Sequence, residues 1–222
     1  ELLRRREELK KSYGGSPPVE LDRPIREALN QVLALEKKNE HVLMHSHLRL
    51  LQRLTHEAFH AYLADNVFPD HKGRLPPWLD EGLAQIFETA LLEGGELSLG
   101  PLHMPRLEAL RKALRKDGLM PLTRLLQASR RDFQVAHAAD KQVSNEYYLA
   151  SWALAWYLTF DRKVLGSREL EEYLRALARG DNPLTAFRKL VGQSLEEFEK
   201  EFRWHMDNVG PDGNLARQPP KK

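Results

Sequence analysis

Hydrophobic residues recur at three- and four-residue spacing along almost the whole chain, a pattern typical of amphipathic α-helices. The pattern predicts helices over 2–12, 24–38, 47–65, 77–92, 104–117, 121–128, 146–160, 167–179, 183–190 and 194–207. Strand signals are few: Glu96–Leu99 is the best candidate, and Val19–Leu21 and Val42–Met44 are weaker ones. We therefore expect a mainly α fold with at most a small β-sheet or hairpin.

Stretches rich in glycine and proline divide the chain. The run G-G-S-P-P at 14–18 is a strong helix breaker, and the segment 210–222 is rich in Pro, Gly and Lys. We predict an N-terminal helical arm and linker over 1–18, a single domain over 19–209, and a disordered tail over 210–222. Pro77 is well placed to open the helix 77–92, since proline is tolerated in a first helical turn.

Composition narrows the possible classes of protein. The 222 residues carry 34 Lys and Arg against 32 Asp and Glu, and 41% of them are hydrophobic, which is typical of a soluble globular protein. Apolar runs are too short to span a membrane, and the near-balanced charge argues against a nucleic-acid partner. Cysteine is absent. Any metal must therefore be held by histidine and carboxylate side chains.

The motif that carries chemistry is H-E-x-x-H, formed by His56, Glu57 and His60 in the predicted helix 47–65. Two histidines four residues apart lie on the same face of a helix, so their imidazoles can converge on one metal ion. Glu57 would lie beside that ion and deprotonate a metal-bound water molecule. The apolar residues around the motif predict one buried side of this helix: Leu50, Leu51, Leu54, Ala58, Phe59 and Leu63.

A catalytic zinc ion usually has three protein ligands, and a candidate for the third follows twenty residues after the motif. There the segment 78–84 reads W-L-D-E-G-L-A at the start of the next predicted helix. This run is similar to the W-L-N-E-G-F-A run of the aminopeptidase N and leukotriene-A4 hydrolase family, so the chain resembles the gluzincins. The resemblance implies that Glu81 is the third zinc ligand. The alternative is a solvated acid in a first helical turn.

The resemblance also implies a carboxylate that holds a histidine ring. A metal-binding histidine generally donates its other N–H group to a carboxylate or a carbonyl oxygen. Glu88 lies seven residues after Glu81, two turns along the same helix face, and could accept from either histidine. Asp80 is the competing candidate, and Glu88 could also be an ordinary exposed acid.

A tyrosine is the last element of the resemblance. In the aminopeptidase-like gluzincins, a tyrosine that opens a Y-x-x-G-A helix donates a hydrogen bond to the oxyanion of the tetrahedral intermediate. Tyr148 begins Y-L-A-S-W-A, with Ser151 in place of the glycine, so the resemblance implies a catalytic role for Tyr148. Tyr147 is the alternative, and both tyrosines could instead be core aromatics.

More widely, residues 47–205 resemble uncharacterised bacterial peptidase-MA-like proteins. Many of those are exported, which together with the absence of cysteine favours a periplasmic or extracellular location. The chain begins at Glu1 without an initiator Met or a signal peptide, so we expect a processed or trimmed protein. No G-x-M-x-N-like strand precedes His56, which favours endopeptidase over aminopeptidase activity.

The sequence therefore predicts a zinc-dependent peptidase with one Zn²⁺ per chain and a peptide or protein substrate. His56, His60 and Glu81 would hold the metal, and Glu57 would act as the general base. Two alternatives stay open: a catalytically silent zinc-binding recognition module, and a helical interaction protein with an accidental H-E-x-x-H. The same ligand set holds Fe(II) in some oxygenases, but these are usually built on β-barrels. The oligomeric state stays open.

The other histidines are less informative. Two of His41, His45 and His47 could bind a second metal, although H-x-x-x-H without nearby carboxylates is more typical of an exposed helix surface. A histidine could also assist at the oxyanion, and the sequence does not choose among four: His71, His103, His137 and His205.

Overall fold

The computed structural model describes residues 1–69, 75–88, 91–93, 96–98, 102–116, 118–133 and 138–215, with the backbone alone for 91–93, 96–98 and 138–144. The first elements are α1 (Leu2–Ser12), α2 (Val19–Tyr62), α3 (Pro77–Phe87), β1 (Leu91–Glu93), β2 (Glu96–Ser98) and α4 (Met104–Arg115). The next are α5 (Leu122–Leu126), α6 (Arg130–Phe133), α7 (Ala138–Trp156), α8 (Arg168–Ala178), α9 (Pro183–Val191) and α10 (Leu195–Asn208). Single π-helical turns, Leu63–Val67 and Tyr157–Asp161, extend α2 and α7.

The predicted mainly α fold is confirmed, and the strands of the described residues form one small hairpin. β1 pairs with β2 in antiparallel register, with Leu91 opposite Ser98 and Glu93 opposite Glu96. The strand expected at Glu96–Leu99 is thus present as Glu96–Ser98, and Leu99 lies outside the described residues. The helix expected over 77–92 is too long, because it ends at Phe87 and the chain enters β1 at Leu91.

The two weaker strand predictions, Val19–Leu21 and Val42–Met44, are wrong. Both segments are helical, and the helices predicted over 24–38 and 47–65 are parts of the continuous α2. The β-preference of a valine is weak, and good helix formers surround these two segments. Pro24 lies in the second turn of α2, where it removes a single backbone hydrogen bond, so the helix begins before it.

Residue contacts divide the chain into two compact units, Glu1–Leu51 and Gln52–Lys222. The division falls inside α2, whereas the sequence suggested a boundary at the 14–18 linker. Within the first unit the side chains are exposed or half-buried, and Nε of Arg6 donates to Oδ1 of Asp22 over 2.8 Å to join α1 to α2.

In the second unit, α3 packs closely against α7, and a glycine makes this possible. A Cβ atom at Gly82 would lie 2.5 Å from the carbonyl oxygen of Ser151 and 2.7 Å from Cβ of Ala155. Both distances are far below van der Waals contact, so any larger residue would push the helices apart. Glu81, the residue before this glycine, is consequently carried close to α7.

Aromatic contacts fix the two ends of α3. Trp78 is buried, and its Nε1 donates to the hydroxyl of Tyr173 on α8 over 3.3 Å. At the other end, Phe87 stacks on Phe59 of α2 with 3.8 Å between ring centroids. The first contact joins α3 to α8, and the second holds the C-terminal part of α2 beside α3. The helix begins at Pro77, as predicted.

The predicted buried side of the H-E-x-x-H helix is correct for part of its length. Phe59 and Leu63 are buried, but Ala58 is exposed, and Leu50, Leu51 and Leu54 are 57%, 60% and 56% exposed. The expectation assumed that every apolar residue of an amphipathic helix faces the core. In this structure the core begins at Phe59.

The C-terminal part of the second unit ends in a tight turn. Residues Val209 and Leu215 pair as an isolated antiparallel bridge around 210–214. The rest of the predicted disordered tail, 216–222, lies outside the described residues. No helix in the described part of the chain is both long and apolar enough to cross a membrane.

Candidate metal centre

The structure brings the three predicted metal ligands together in the second unit. Nε2 of His56 lies 3.1 Å from Nε2 of His60, one turn along α2. Oε2 of Glu81, on α3, lies 3.3 Å from Nε2 of His56 and 3.8 Å from Nε2 of His60. One donor atom from each side chain thus lies within 4.8 Å of the other two.

The state of Glu81 supports a cation at this point. Its Oε2 is buried, and no donor among the described residues is aligned to hydrogen-bond it. A buried carboxylate oxygen without a partner is costly unless a cation satisfies it. Two imidazoles and one carboxylate are also a donor set that catalytic zinc uses, with a further position left for water. The residues present therefore fit a zinc ion.

A separate carboxylate holds each histidine ring from behind. Nδ1 of His56 lies 3.1 Å from Oε2 of Glu88, and Nδ1 of His60 lies 2.7 Å from Oδ1 of Asp80. From the sequence, Glu88 and Asp80 were alternative candidates for the carboxylate that holds a histidine ring. In the structure both do so, one at each histidine. Because each Nδ1 donates to a carboxylate, each Nε2 is left to face the other ring and Glu81.

An arginine in turn binds each of these carboxylates. Arg106 on α4 contacts Oε1 of Glu88 and donates through Nη1 to the carbonyl oxygen of Gln85 over 2.9 Å. Arg130 on α6 donates through Nη2 to Oδ2 of Asp80 over 3.1 Å. The Arg106 side chain is 22% exposed and that of Arg130 is 55% exposed, so the first contact is the better shielded one. Sequence reasoning missed both arginines, because they lie on other helices without a spacing that relates them to the motif.

The same contacts shift the ionisation of the centre. The carboxylates of Glu81 and Glu88 raise the pKa of His56 to about 9, and Asp80 raises the pKa of His60. Burial alone would raise the pKa of Glu88, but hydrogen bonds and charges from His56 and Arg106 lower it. Without a metal, His56 therefore holds its proton more tightly than an ordinary histidine does. A divalent cation would replace that proton.

A pocket of about 410 Å³ opens over the centre. Its lining residues are His56, Glu57, His60, Ala64, Leu75, Asp80, Glu81, Arg130 and Tyr148. Glu57 is exposed at this pocket, where solvent and a ligand can reach its carboxylate. Burial and the negative charges of Glu81 and Glu57 raise the pKa of Tyr148, so its phenol stays protonated and can donate a hydrogen bond.

The two neighbouring tyrosines have different surroundings. Tyr147 is buried, packs against Phe133 with 5.3 Å between centroids, and accepts from Nε of Arg124 over 3.0 Å. It is not among the residues that line the pocket, whereas Tyr148 is. Of the two candidates, Tyr148 is therefore the one placed to act on a bound ligand.

A buried glutamine connects the two helices at this point. Nε2 of Gln85 donates to the carbonyl oxygen of Tyr148 over 2.9 Å and to that of Glu81 over 3.2 Å. No role for Gln85 was predicted from the sequence. A polar residue on the core-facing side of α3 was the signal that could have found it.

The other histidines that the structure describes do not line the pocket. His103 caps α4 by accepting from the backbone N–H of Arg106 over 3.3 Å, and Nδ1 of His205 lies 3.5 Å from Asp161. His71 and His137 lie outside the described residues. The predicted oxyanion histidine is therefore not found among the described histidines.

Comparison with known proteins gives a family without an assigned function. The model of the family described as protein of unknown function (DUF1570) matches residues 51–184, which is more than half of the chain. No curated protein matches the chain, and no solved structure does. The chain belongs to the DUF1570 family.

Proposed function

We propose that this member of the DUF1570 family is a zinc-dependent peptidase of the gluzincin type. One observation carries the proposal: two histidines, a carboxylate with a buried oxygen, an exposed glutamate and a tyrosine meet at one pocket. The resemblance of the two motifs to gluzincin peptidases supports the same conclusion.

His56, His60 and Glu81 would hold Zn²⁺, with Glu88 and Asp80 fixing the two imidazole rings. When bound, zinc would polarise the carbonyl of the scissile peptide bond and lower the pKa of a water molecule. Arg106 and Arg130 would keep the two supporting carboxylates ionised and in place.

Glu57 and Tyr148 supply the acid–base and electrostatic parts of the reaction. The carboxylate of Glu57 accepts a proton from the attacking water and delivers it to the leaving amine. The phenol of Tyr148 donates to the oxygen that becomes negative as the carbonyl carbon is attacked, an interaction typically worth about 3–4 kcal/mol. Both groups line the pocket that contains Glu81.

The pocket suits part of a peptide. Its volume of about 410 Å³ is near the lower end for ligand sites, and Ala64 and Leu75 add apolar surface to a lining that is otherwise largely charged. We propose peptides or proteins as substrates and favour internal cleavage.

The first experiment combines elemental analysis with cleavage of a quenched mixed-peptide library, with and without chelator. We expect about one tightly bound zinc per chain and cleavage that the chelator abolishes and zinc restores. Glu57→Gln should keep zinc and lose cleavage. Glu40→Gln, an exposed acid on the same helix α2, is the matched control and should behave as wild type.

Failure can take two forms. If the centre binds no zinc even when zinc is supplied, the metal assignment is wrong. If it binds zinc but Glu57→Gln and the wild type are equally inert on the whole library, the chain is a binding module and not a peptidase.

A further inference from the structure

A second pair of histidines lies on α2, within the first unit. His41 and His45 are four residues apart, both are exposed, and their Nε2 atoms are 3.1 Å from each other. Their ring centroids are 4.3 Å apart with the planes inclined by 59°. Both nitrogens thus point to one place on the helix surface.

This geometry repeats that of the first pair. The Nε2 atoms of His56 and His60 are also 3.1 Å apart, with the same four-residue spacing. An ion roughly 2.0–2.1 Å from both nitrogens would see them at an angle of about 100°. That angle lies between the adjacent-ligand angles of square-planar and tetrahedral metal centres, so both nitrogens can bind one ion without a backbone change.

We propose that His41 and His45 form a second, surface metal site that takes borderline divalent transition metals such as Cu²⁺, Ni²⁺ and Zn²⁺. Imidazole nitrogen suits these ions, and Cu²⁺ binds most tightly among them for a given donor set. Water completes the coordination, because the histidines are exposed. The proposal does not depend on peptidase activity or on a metal at His56.

The site differs from the first centre in ways that make it weaker. Among the described residues no third histidine or carboxylate joins the pair. Lys37 and Lys38 lie one turn before His41, and their charges oppose a cation. These side chains are exposed, so solvent and salt screen that repulsion. Two imidazoles held on one helix should still bind an ion more tightly than a single imidazole does, because the second donor is already in place when the first one binds.

The test is a calorimetric titration of the full chain with Cu²⁺, comparing wild type, His45→Ala and His47→Ala. His47 is the matched control, because it is an exposed histidine of the same helix. It lies two residues after His45, about 200° around the helix, and so on another face. Alanine is the best helix former, so both variants should keep the wild-type circular dichroism spectrum.

We expect His45→Ala to bind one copper ion fewer than wild type, since losing one of two linked donors weakens a site on the order of 100-fold. His47→Ala should bind as wild type. The difference between the two variants reports this pair alone, and the copper that remains in His45→Ala reports the centre at His56. Equal copper binding by the two variants would overturn the proposal.

Discussion

The side-chain amide of Gln85 donates to the backbone carbonyl oxygen of Tyr148 over 2.9 Å. This bond joins the helix that carries Glu81 to the helix that carries the tyrosine. The same amide also reaches the carbonyl oxygen of Glu81. One buried group therefore sets the distance between a metal ligand and a hydrogen-bond donor of the proposed reaction.

Replacing Gln85 by methionine should lower kcat about tenfold while zinc content and KM stay close to wild type. The similar volume keeps the core filled, but Tyr148 loses the bond that fixes its backbone, and misplaced catalytic groups slow reactions strongly. Steady-state kinetics with metal analysis checks this. Gln127→Met, at an exposed position that ends α5, is the control. An unchanged kcat in Gln85→Met would show that α7 is positioned without this bond.

Tyr148→Phe should affect catalysis, whereas Tyr147→Phe should affect stability. Loss of the Tyr148 hydroxyl should lower kcat by about 10²–10³-fold with zinc retained, because a donor to the developing negative charge is removed. Loss of the Tyr147 hydroxyl should leave kcat unchanged and lower the free energy of unfolding by about 1 kcal/mol, since Arg124 loses its acceptor. Kinetics and urea unfolding of both variants distinguish the roles. The reverse pattern would make Tyr147 the catalytic residue.

Arg106→Gln should weaken zinc binding about 10–100-fold, the usual effect of losing a group that supports a metal ligand. The physical reason is that Arg106 contacts the carboxylate that orients His56. Competition with a chromogenic chelator measures the affinity. Arg115→Gln removes an arginine from the same helix whose ion pair with Asp207 spans 3.9 Å at the surface, and it should bind zinc as wild type. Equal affinity in both variants would contradict the support assigned to Arg106.

The metal-free protein should lose stability as the pH rises from 6.5 to 9. The pKa of His56 is about 9 in the folded chain against 6.5 for an unperturbed histidine, so its proton is bound more tightly when folded. That stabilisation is complete below pH 6.5 and disappears as the pH passes through 9. Urea unfolding in chelator at several pH values, for wild type and His56→Gln, isolates the effect. If the difference in free energy of unfolding between wild type and His56→Gln does not fall as the pH rises, the stabilisation assigned to the His56 proton is refuted.

Gly82→Ala should lower the free energy of unfolding by about 1–3 kcal/mol, because the new methyl group overlaps the backbone of Ser151. Gly118→Ala is the matched control, since a Cβ atom there meets its nearest neighbour at 3.7 Å. Thermal unfolding of the two variants gives the comparison. If Gly82→Ala is as stable as Gly118→Ala, α3 and α7 can move apart at little cost in free energy, and the close contact at Gly82 is not required.

The fold class and the cluster of His56, His60 and Glu81 could be predicted from the sequence because their signals are local. His56 and His60 lie on one helix face because they are four residues apart. Glu81 lies in the run W-L-D-E-G-L-A, which resembles a gluzincin motif. The supporting arginines and Gln85 could not be predicted, because their roles depend on how separate helices pack. The exposed Leu50, Leu51 and Leu54 show the same limit, since periodicity identifies a helix face but not what covers it.

Helix α3 has a further consequence for how the chain tolerates length changes. Three consecutive residues, Asp80, Glu81 and Gly82, meet three different neighbours: Nδ1 of His60, the Nε2 atoms of the histidine pair and the backbone of α7. One residue added inside the helix would turn all that follows by about 100°. An insertion before Asp80 would turn all three residues away from their present neighbours, so all three contacts would be lost together. A change in the length of α3 should therefore disturb all three contacts together, whereas a single substitution disturbs one.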